Sequence, residues 1–425
     1  MPPEFDDSRS RDAQRPDARS GPPADARSPW VLLRSASQHP FIYQKMVRQI
    51  DPAARPGDIV NVYDRHGRYF GGGLFNPRSQ IVVRLLEFTE RPIDQDFFRD
   101  RIASALELRR VLGVEAVTDA YRIVHSEGDR LSGLIVERFA DCLVCEIFSL
   151  GMFHRREMIA RVIAASLGPP KSLDRPDRAA ADWHVFYRAD RHIEEIEGFN
   201  TRHSEAGTTA PPSITIREHG IRYSVDVITG HKTGFFCDQR DNRLKFARLC
   251  GGASVLDLCC YTGGFGLCAK KLGHAKDVTS VDLDEAAIAI VRQNQNLNQL
   301  RYDAVHADAF PYLRQMAAND RQYDCVVLDP PKFATSRREV DDAMRRYYDL
   351  NRTVMQVVRT GGVLLTCSCS GLVSRQMFTD VVAAAARDAR RTLQIFDFTG
   401  AAGDHPVLTT CPESEYLKAL WARVL

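Results

Sequence analysis

Val255-Leu-Asp-Leu-Cys-Cys-Tyr-Thr-Gly-Gly-Phe-Gly266, followed after a helical stretch by Val278-Thr-Ser-Val-Asp282, is the part of this 425-residue chain that decides its fold. An apolar strand ends at a glycine turn, and the next strand ends in a carboxylate 25 positions after Asp257 (282 − 257). Glycine lets the backbone approach a ligand closely, and a carboxylate at a strand end can accept hydrogen bonds from ribose hydroxyls. The pattern therefore predicts a Rossmann-like α/β domain with a nucleoside site at these strand ends.

The spacing of the glycines separates two cofactor classes. A dinucleotide fingerprint requires G-x-G-x-x-G, whereas this turn has Gly263, Gly264 and Gly266 and no third glycine at the required position. This spacing disfavours pyrophosphate, and with it a dehydrogenase, and favours S-adenosylmethionine, which carries no phosphate. The residues predicted to bind this cofactor in the two segments are Asp257, Tyr261, Thr262, Gly263, Gly264, Phe265 and Asp282.

Two further acids follow apolar strands. Asp329 ends the run Asp324-Cys-Val-Val-Leu-Asp329, and Pro330 and Pro331 stop the strand there because proline cannot donate to a ladder. Asp329 is therefore predicted at a carboxyl end, facing the cofactor region. Asp308 follows the third strand, where it would hydrogen-bond the adenine amino group, cap the next helix, or do both.

The strand Gly361-Gly-Val-Leu-Leu-Thr-Cys-Ser-Cys-Ser370 carries Cys367 and Cys369, which period two points to the same side. Sequential strands usually pair, so we expect these thiols beside Asp329. A thiolate next to a carboxylate suits pyrimidine chemistry, since carbon 5 of cytosine accepts a methyl group only after a nucleophile adds at carbon 6. On spacing alone, either cysteine could be that nucleophile.

These segments together resemble the bacterial large-subunit ribosomal RNA cytosine-C5 methyltransferases, which have a PUA module, a central α+β domain and a class I methyltransferase domain. The resemblance runs from about His39 to the C-terminus. The motifs that carry it are Gly230-His-Lys-Thr-Gly-Phe-Phe236, Asp238-Gln-Arg-Asp-Asn-Arg243, Tyr261-Thr-Gly-Gly-Phe265, Asp329-Pro-Pro-Lys-Phe333, Ser368-Cys-Ser-Gly371 and Asp404-His-Pro406.

The resemblance implies S-adenosylmethionine as cofactor, large-subunit (23S) ribosomal RNA as partner, and Cys369 as the nucleophile, with Cys367 at a position that need not be cysteine. It also implies that the segment containing Lys232 and Arg240 folds over the cofactor, near its methionine carboxylate. RNA cytosine methylases with two cysteines place one where this chain has Pro331. We therefore expect another base, with Asp329 as the candidate, to remove the carbon 5 proton.

Two alternatives stay open. Related enzymes methylate guanine N7 or an exocyclic nitrogen and share the Asp-Pro-Pro motif, so that motif does not separate the activities. The chain could also be an RNA-binding assembly factor that holds the cofactor without turnover, although an inert site usually loses its nucleophile.

The charge balance places any RNA surface in local patches. The chain has 57 basic and 55 acidic residues, a net charge of +2, which provides no global attraction to nucleic acid. At the active site, the predicted substrate contacts are Pro330, Pro331, Lys332, Arg337 and Arg338. In the N-terminal module the candidates for phosphate contact are Arg65, Arg68, Arg78 and Arg84.

The domain boundaries follow composition and pattern. Residues 1–28, rich in Pro, Arg, Asp and Ser, are predicted to form a disordered tail, and residues 29–90 a PUA-like β-barrel of short strands and tight turns. Residues 91–212 would hold a connecting helix at about 94–112 and a central α+β domain, and residues 213–425 the methyltransferase domain.

The remaining composition points to a reducing, cytoplasmic compartment. Cys142-x-x-Cys145 has no matching second pair and lies in an apolar run, so no metal is expected there. No stretch reaches the roughly 18 apolar residues of a membrane helix, so no membrane partner is expected. A homodimer, paired through an edge strand or an apolar patch, is a further expectation.

Overall fold

The computed structural model describes residues 21–170, 182–201, 213–227 and 234–425. Within these ranges the chain forms four sheets, of six, four, two and seven strands. Residues 1–20 of the predicted tail lie outside the described residues, and so does Lys232, one of the predicted cofactor contacts. None of the described helices is both long and apolar enough to cross a lipid bilayer.

The N-terminal sheet contains β1 (Trp30–Leu33), β2 (Phe41–Tyr43), β3 (Val47–Ile50), β4 (Ile59–Tyr63), β5 (Tyr69–Phe75) and β6 (Ile81–Glu87), in the order β2-β6-β5-β4-β1-β3. The edge strands β2 and β3 are joined by a single 3₁₀ turn, Gln44–Met46. Four Cα–Cα steps span at most about 15 Å, so the end of one edge strand lies within that distance of the start of the other, and the sheet curls around its apolar core.

The central region begins with α1 (Gln95–Val111) and α2 (Val114–Val117), so the helix predicted at about 94–112 is confirmed. Asp94 caps α1 by accepting the Phe97 N–H at 3.0 Å. The next elements are β7 (Ala120–His125), β8 (Leu134–Phe139), β9 (Cys142–Ile147), α3 (Leu150–Leu167), β10 (His184–Arg188) and α4 (Arg191–Glu197). Their sheet has the order β10-β9-β8-β7.

The Cys142-x-x-Cys145 pair lies on β9, where an odd separation sends the two side chains to opposite faces. Cys142 packs into one buried cluster and Cys145 into another. The two thiols therefore cannot bind one metal ion, and both serve as small apolar core residues.

The C-terminal region starts with the hairpin β11 (Ile214–Glu218) and β12 (Ile221–Val225), followed by α5 (Arg240–Ala247). The strands of its large sheet and the helices that connect them follow in the order β13 (Ser254–Leu258), α6 (Gly264–Lys271), β14 (Asp277–Asp282), α7 (Glu285–Leu297), β15 (Asp303–His306), α8 (Ala309–Ala318), β16 (Tyr323–Leu328), α9 (Val340–Val354), β17 (Val358–Ser368), α10 (Arg375–Asp388), β18 (Leu393–Thr399) and β19 (Lys418–Val424). The strand order is β15-β14-β13-β16-β17-β19-β18, with β19 antiparallel to both neighbours.

The strand register brings the predicted chemistry to one edge of this sheet. Leu258 of β13 pairs with Leu328 of β16, which pairs with Thr366 of β17. The predicted pairing of the strand before Asp329 with the cysteine strand is thus confirmed. Because these strands are parallel, their carboxyl ends open at the same side, between β14 and β17.

Candidate active site

The turn after β13 is held in an unusual backbone conformation. Cys259, Tyr261 and Gly263 all have positive φ, of 57°, 48° and 79°. For the two residues with a Cβ this conformation is strained, and it persists because the neighbouring strand over-determines it. Cys260 N–H donates to Val281 O at 3.1 Å, and Tyr261 N–H donates to the Asp282 carboxylate at 2.7 Å.

Asp257 supports this turn from below. Its carboxyl is completely buried and accepts the Gly266 N–H at 2.9 Å and the Ser280 hydroxyl at 3.2 Å. Burial raises the pKa of Asp257 to about 7, against the effect of these two hydrogen bonds. The structure therefore assigns Asp257 to positioning the glycine turn, whereas the sequence predicted a direct cofactor contact.

Asp282 lies at the end of β14 with its two oxygens on backbone N–H groups, those of Tyr261 and Asp284. The next residue, Leu283, is 65% exposed, and its carbonyl lies 2.9 Å from His306 Nε2. Sequence reasoning missed Leu283, although an apolar residue between two acids at a strand end was visible. An exposed leucine here offers an apolar surface to an aromatic ligand.

Asp308 caps α8, since its carboxylate accepts the Phe310 N–H at 2.8 Å. The side chain is exposed, so the capping role does not prevent contact with a ligand. The capping prediction for Asp308 is confirmed, and adenine binding stays a prediction.

The other residues of the turn have different surroundings. Thr262 is buried, and its carbonyl accepts Asn294 Nδ2 at 3.0 Å. Gly264 lies where a Cβ would come within 2.8 Å of Arg243 Cδ. The Tyr261 hydroxyl donates to Gly234 O at 3.2 Å. Phe265 packs edge-to-face on Phe246 in the core, so its backbone is the part that a cofactor could reach.

Electrostatics show that the predicted acids converge. Burial raises the pKa of the Cys259 thiol, and the charges of Asp282, Asp329, Asp257 and Asp308 raise it further. The Cys259 thiol is therefore close enough to all four carboxylates for their charges to act on it. The crevice outside β13 to β16 is therefore negatively charged, which suits a ligand that carries hydroxyl, amino and sulfonium groups.

Asp329 is oriented by a residue to which the sequence assigned no role. Gln239 Nε2 donates to the Asp329 carboxylate at 2.9 Å, and Asn242 in turn donates to Gln239 Oε1 at 2.7 Å. Gln239 itself is buried, in the 3₁₀ turn that precedes α5. The Asp238-to-Arg243 motif therefore positions the carboxylate of the Asp-Pro-Pro motif.

The two cysteines of β17 differ in accessibility. Cys367 is fully buried, and burial together with Asp329 raises the pKa of its thiol. Cys369 follows the last residue of the strand and is partly exposed, with Sγ 3.9 Å from Pro330 O. A thiol must reach its substrate to act as a nucleophile, so the geometry favours Cys369.

A buried hydroxyl network holds the segment around Cys369. Tyr347 Oη lies 3.0 Å from both Ser368 Oγ and Ser370 Oγ. Ser370 Oγ also accepts the N–H groups of Phe333 at 3.2 Å and Ala334 at 3.3 Å. The hydroxyls thus tie the strand end to the loop after Asp329, which keeps the thiol and the carboxylate in one fixed arrangement.

The structure corrects the interpretation of Arg240. Its guanidinium is buried and forms two hydrogen bonds, of 2.9 and 3.1 Å, with Asp404. A guanidinium engaged in this way is not available for a methionine carboxylate. The late Asp404-His-Pro406 motif is instead the anchor for Arg240.

The basic residues predicted to contact RNA fall into two groups. Lys332 is exposed after the Asp-Pro-Pro turn, and Arg337 and Arg338 are exposed in the 3₁₀ turn before α9. The prediction that Arg84 contacts phosphate is wrong, because Arg84 is buried and pairs with the Glu127 carboxylate at 3.7 Å. Pro330 is buried, whereas Pro331 is exposed. The other three arginines predicted in the N-terminal module, Arg65, Arg68 and Arg78, are exposed.

One cluster among the described residues offers metal ligands, His39, Cys411 and Glu413. The Phe41 N–H donates to His39 Nδ1 at 3.0 Å, which leaves the ring proton on Nε2, 3.1 Å from the Glu413 carboxylate. The imidazole is therefore satisfied by hydrogen bonds in the tautomer that cannot bind a metal through Nε2.

A parallel α/β sheet with one antiparallel strand, a glycine turn without a phosphate cradle, and strand-end acids beside an exposed leucine define a class I S-adenosylmethionine-dependent methyltransferase. The residues fit this cofactor: Asp282 can accept ribose hydroxyls, and Leu283 can pack on adenine. A family model described as S-adenosylmethionine-dependent methyltransferase matches residues 205–406, and one described as a PUA-like domain matches residues 34–88.

The chain belongs to the ribosomal RNA large subunit methyltransferase I family. It is 40% identical to the protein of that name from Shewanella frigidimarina and 36% identical to that from Aliivibrio fischeri, in each case over 91% of this chain and 96% of the relative. This membership confirms S-adenosylmethionine as the cofactor.

Solved structures show the same fold. A methyltransferase crystallised with SAH superimposes with a TM-score of 0.74 at 20% identity, over 91% of this chain and 96% of that one. A SAM-dependent methyltransferase from Streptococcus mutans superimposes with a TM-score of 0.71 at 20% identity, over 87% and 92%. The predicted α/β class with N-terminal PUA-like strands is thus confirmed.

Proposed function

We propose that this protein transfers a methyl group from S-adenosylmethionine to carbon 5 of a cytosine in large-subunit (23S) ribosomal RNA, through a covalent adduct with Cys369. The observation that carries the proposal is the position of Cys369, which is partly exposed with Sγ 3.9 Å from Pro330 O in the loop after Asp329, whereas Cys367 is fully buried. The substrate follows the names of the relatives, which are ribosomal RNA large subunit methyltransferases.

Binding would use both sides of the crevice. Bound S-adenosylmethionine would supply an electrophilic methyl group, held by Asp282, Asp308 and the backbone of the turn from Tyr261 to Phe265. Lys232, outside the described residues, is a further proposed contact. An unstacked cytosine would enter beside Pro330 and Pro331, with RNA phosphates on Lys332, Arg337 and Arg338.

The reaction proceeds at carbons 5 and 6 of the base. The Cys369 thiolate adds to carbon 6, and the electron pair displaced from the ring double bond makes carbon 5 nucleophilic. Carbon 5 would take the methyl group as the bond between that group and the cofactor sulfur breaks, which leaves S-adenosylhomocysteine. Carbon 5 then loses its proton, for which Asp329, fixed by Gln239, is the proposed acceptor. Re-formation of the double bond breaks the sulfur–carbon bond and releases Cys369.

Nucleoside mass spectrometry tests the proposal. Unmodified large-subunit RNA is incubated with isotopically labelled S-adenosylmethionine and either native protein or Cys369→Ala. We expect labelled 5-methylcytidine from the native protein and none from the variant, because the adduct cannot form without the thiol. Cys367→Ala is the matched control and retains activity.

Labelled methylguanosine that survives the loss of Cys369 would contradict the proposal and identify direct transfer to a ring or exocyclic nitrogen. Cofactor binding without any labelled product on RNA or on assembled subunits would indicate the non-catalytic assembly factor. Cytoplasmic location and homodimer formation belong to the same proposal, and gel filtration of the purified protein tests the second.

A further inference from the structure

A relay of side-chain hydrogen bonds runs from Trp421 to the carboxylate of Asp329. Trp421, fully buried on β19, donates its indole N–H to the Thr399 hydroxyl at 2.8 Å. Thr399, the last residue of the edge strand β18, donates to Asn242 Oδ1 at 2.7 Å. Asn242 Nδ2 donates to Gln239 Oε1 at 2.7 Å, and Gln239 Nε2 donates to Asp329 at 2.9 Å. This relay joins the edge of the large sheet to the candidate active site.

The neighbours of Asn242 allow its side-chain amide one orientation. Asn242 Nδ2 is 3.1 Å from Gly400 O, and because a carbonyl can only accept, the NH2 end of the amide must face Gly400. The oxygen end then faces Thr399, whose hydroxyl donates to it while accepting the Trp421 N–H. The orientation therefore follows from a carbonyl and an indole, whose roles as acceptor and donor cannot reverse.

This orientation is passed on to Gln239 and from there to Asp329. Because Asn242 presents its NH2 group, Gln239 presents its oxygen to Asn242 and its own NH2 group to the carboxylate. The opposite orientation of the Gln239 amide would set two nitrogens against each other at one contact and two oxygens at the other. Gln239 and Asn242 are 3% and 2% exposed, so water has little access to replace either partner. An N–H held on one oxygen restricts rotation of the carboxylate and fixes the directions of its lone pairs.

We propose that Asn242 and Gln239 are positioning residues that act through Asp329, holding its carboxylate in the direction from which it accepts the carbon 5 proton. The inference rests on the proposed function, in which Asp329 is that acceptor. In this step the C–H bond at carbon 5 breaks and the proton bonds to a carboxylate oxygen. The electron pair left on carbon 5 re-forms the ring double bond, and the Cys369 sulfur leaves carbon 6 with the pair of the broken bond.

A misdirected carboxylate has a specific consequence for this reaction. Adduct formation and methyl transfer precede the removal of the proton, so both still take place when that last step slows. The methylated base then stays attached to Cys369 for longer. The positioning role therefore predicts slower product formation together with more of the methylated covalent complex.

The test measures this complex as well as the product. Native protein or variant is incubated with unmodified large-subunit RNA and S-adenosylmethionine labelled in its methyl group, and the protein–RNA complex that survives denaturation is separated on a gel. In Gln239→Met and Asn242→Leu, which keep the size of the side chain without its amide, we expect about tenfold slower formation of 5-methylcytidine. We also expect a larger share of labelled complex than in native protein. Partial unfolding would lower both quantities together.

Thr399→Val keeps the test decisive if the first variants fold poorly, because it preserves side-chain size and lies farther from the active site. It should change both quantities in the same direction but less, since Gly400 still holds Asn242. Thr399→Ser restores the hydroxyl and native behaviour. Asn298→Leu is the matched control, because it removes a buried asparagine at the end of α7 whose amide donates to Arg222 O. Folded Asn298→Leu should keep native turnover and native levels of complex.

The double variant Gln239→Met/Asn242→Leu tests whether the two residues act in series. We expect it to be no slower than Gln239→Met alone, since Asn242 acts through Gln239. Additive losses of rate, native turnover in the folded single variants, or slower turnover without accumulated complex would each overturn the inference.

Failure of this inference and failure of the proposed function are distinguishable. If Gln239→Met forms 5-methylcytidine at the native rate, the relay has no part in removing the proton and the proposed function stands. If native protein yields only labelled methylguanosine and no variant holds RNA covalently, the proposed function is wrong and the inference falls with it.

Discussion

The ionisation of Asp257, which supports the glycine turn, makes the stability of the fold depend on pH. Its pKa rises from 3.8 to about 7 on folding, because the carboxyl is completely buried. Below pH 4 the group is protonated in both the folded and the unfolded chain. Between pH 4 and 7 only the folded chain holds the proton, so rising pH removes stability until the folded carboxyl ionises.

Asp257→Asn should remove this pH dependence, since an amide does not titrate and can still accept the Gly266 N–H. Relative to the variant, native protein is expected to lose about 4 kcal/mol of unfolding free energy between pH 4 and 8, because each pH unit over which only the folded chain holds the proton contributes roughly 1.4 kcal/mol. Thermal melting of both proteins at several pH values checks the difference. If the melting temperatures of both proteins change equally with pH across that range, Asp257 does not hold a proton near neutrality.

Asp404 joins three elements of the fold at one buried residue. Its side chain binds Arg240 of α5 and accepts the Arg122 N–H of β7 at 2.9 Å, while its carbonyl accepts Arg109 of α1 at 2.6 Å. Burial alone would raise the pKa of Asp404, but His405 and Arg240 hold it well below its usual range. The segment before β19 is thereby fixed to both the central and the C-terminal regions.

Asp404→Ala leaves the buried Arg240 guanidinium without its partner and is expected to destabilise the protein by about 3 kcal/mol or more. Differential scanning calorimetry measures the loss. Asp342→Ala, which breaks an exposed pair with Arg345 on α9, is the matched control and should cost less than about 1 kcal/mol. Equal melting temperatures for the two variants would show that the Arg240 pair contributes nothing net.

The N-terminal sheet and the central region share several polar contacts, and one of them centres on Glu197. Asn76, just after β5, donates Nδ2 to the buried Glu197 carboxylate at 2.7 Å, and the same carboxylate accepts the Leu150 N–H of α3 at 3.0 Å. Leu74 and Leu86 of the sheet belong to the central hydrophobic cluster. The PUA-like module is therefore held in a fixed position relative to the central sheet.

Asn76→Asp places a second carboxylate against Glu197 and should loosen this interface, because two buried like charges repel. We expect the melting temperature to fall by about 5 °C or more and limited proteolysis to cut the 88–94 connection faster. Asn296→Asp is the control, because Asn296 is exposed on α7 and accepts a hydrogen bond from Arg301. This substitution should change neither the melting temperature nor the proteolysis rate. An unchanged proteolysis rate in Asn76→Asp would argue that the Asn76–Glu197 contact does not hold the two modules together.

Local patterns were sufficient for most elements of the fold. The glycine turn between β13 and α6, α1 and the strand before Asp329 were all predictable, because periodicity, capping and proline act over a few neighbouring residues. The pairing of β16 with β17 followed from the same patterns, since consecutive strands in such sheets are usually neighbours. Cys369 was singled out from Cys367 by family resemblance.

The sequence by itself therefore determined the fold class, the cofactor type and the strand ends that carry the chemistry. Only the tertiary structure decided which polar residues are buried and with which partners. Arg240 binds Asp404 from 164 positions away, and Gln239 binds Asp329 from 90. Lys418 likewise donates a hydrogen bond to the Ser370 carbonyl, 48 positions away. Burial and ion pairing arise from contacts between distant segments, and no local pattern of residues encodes them.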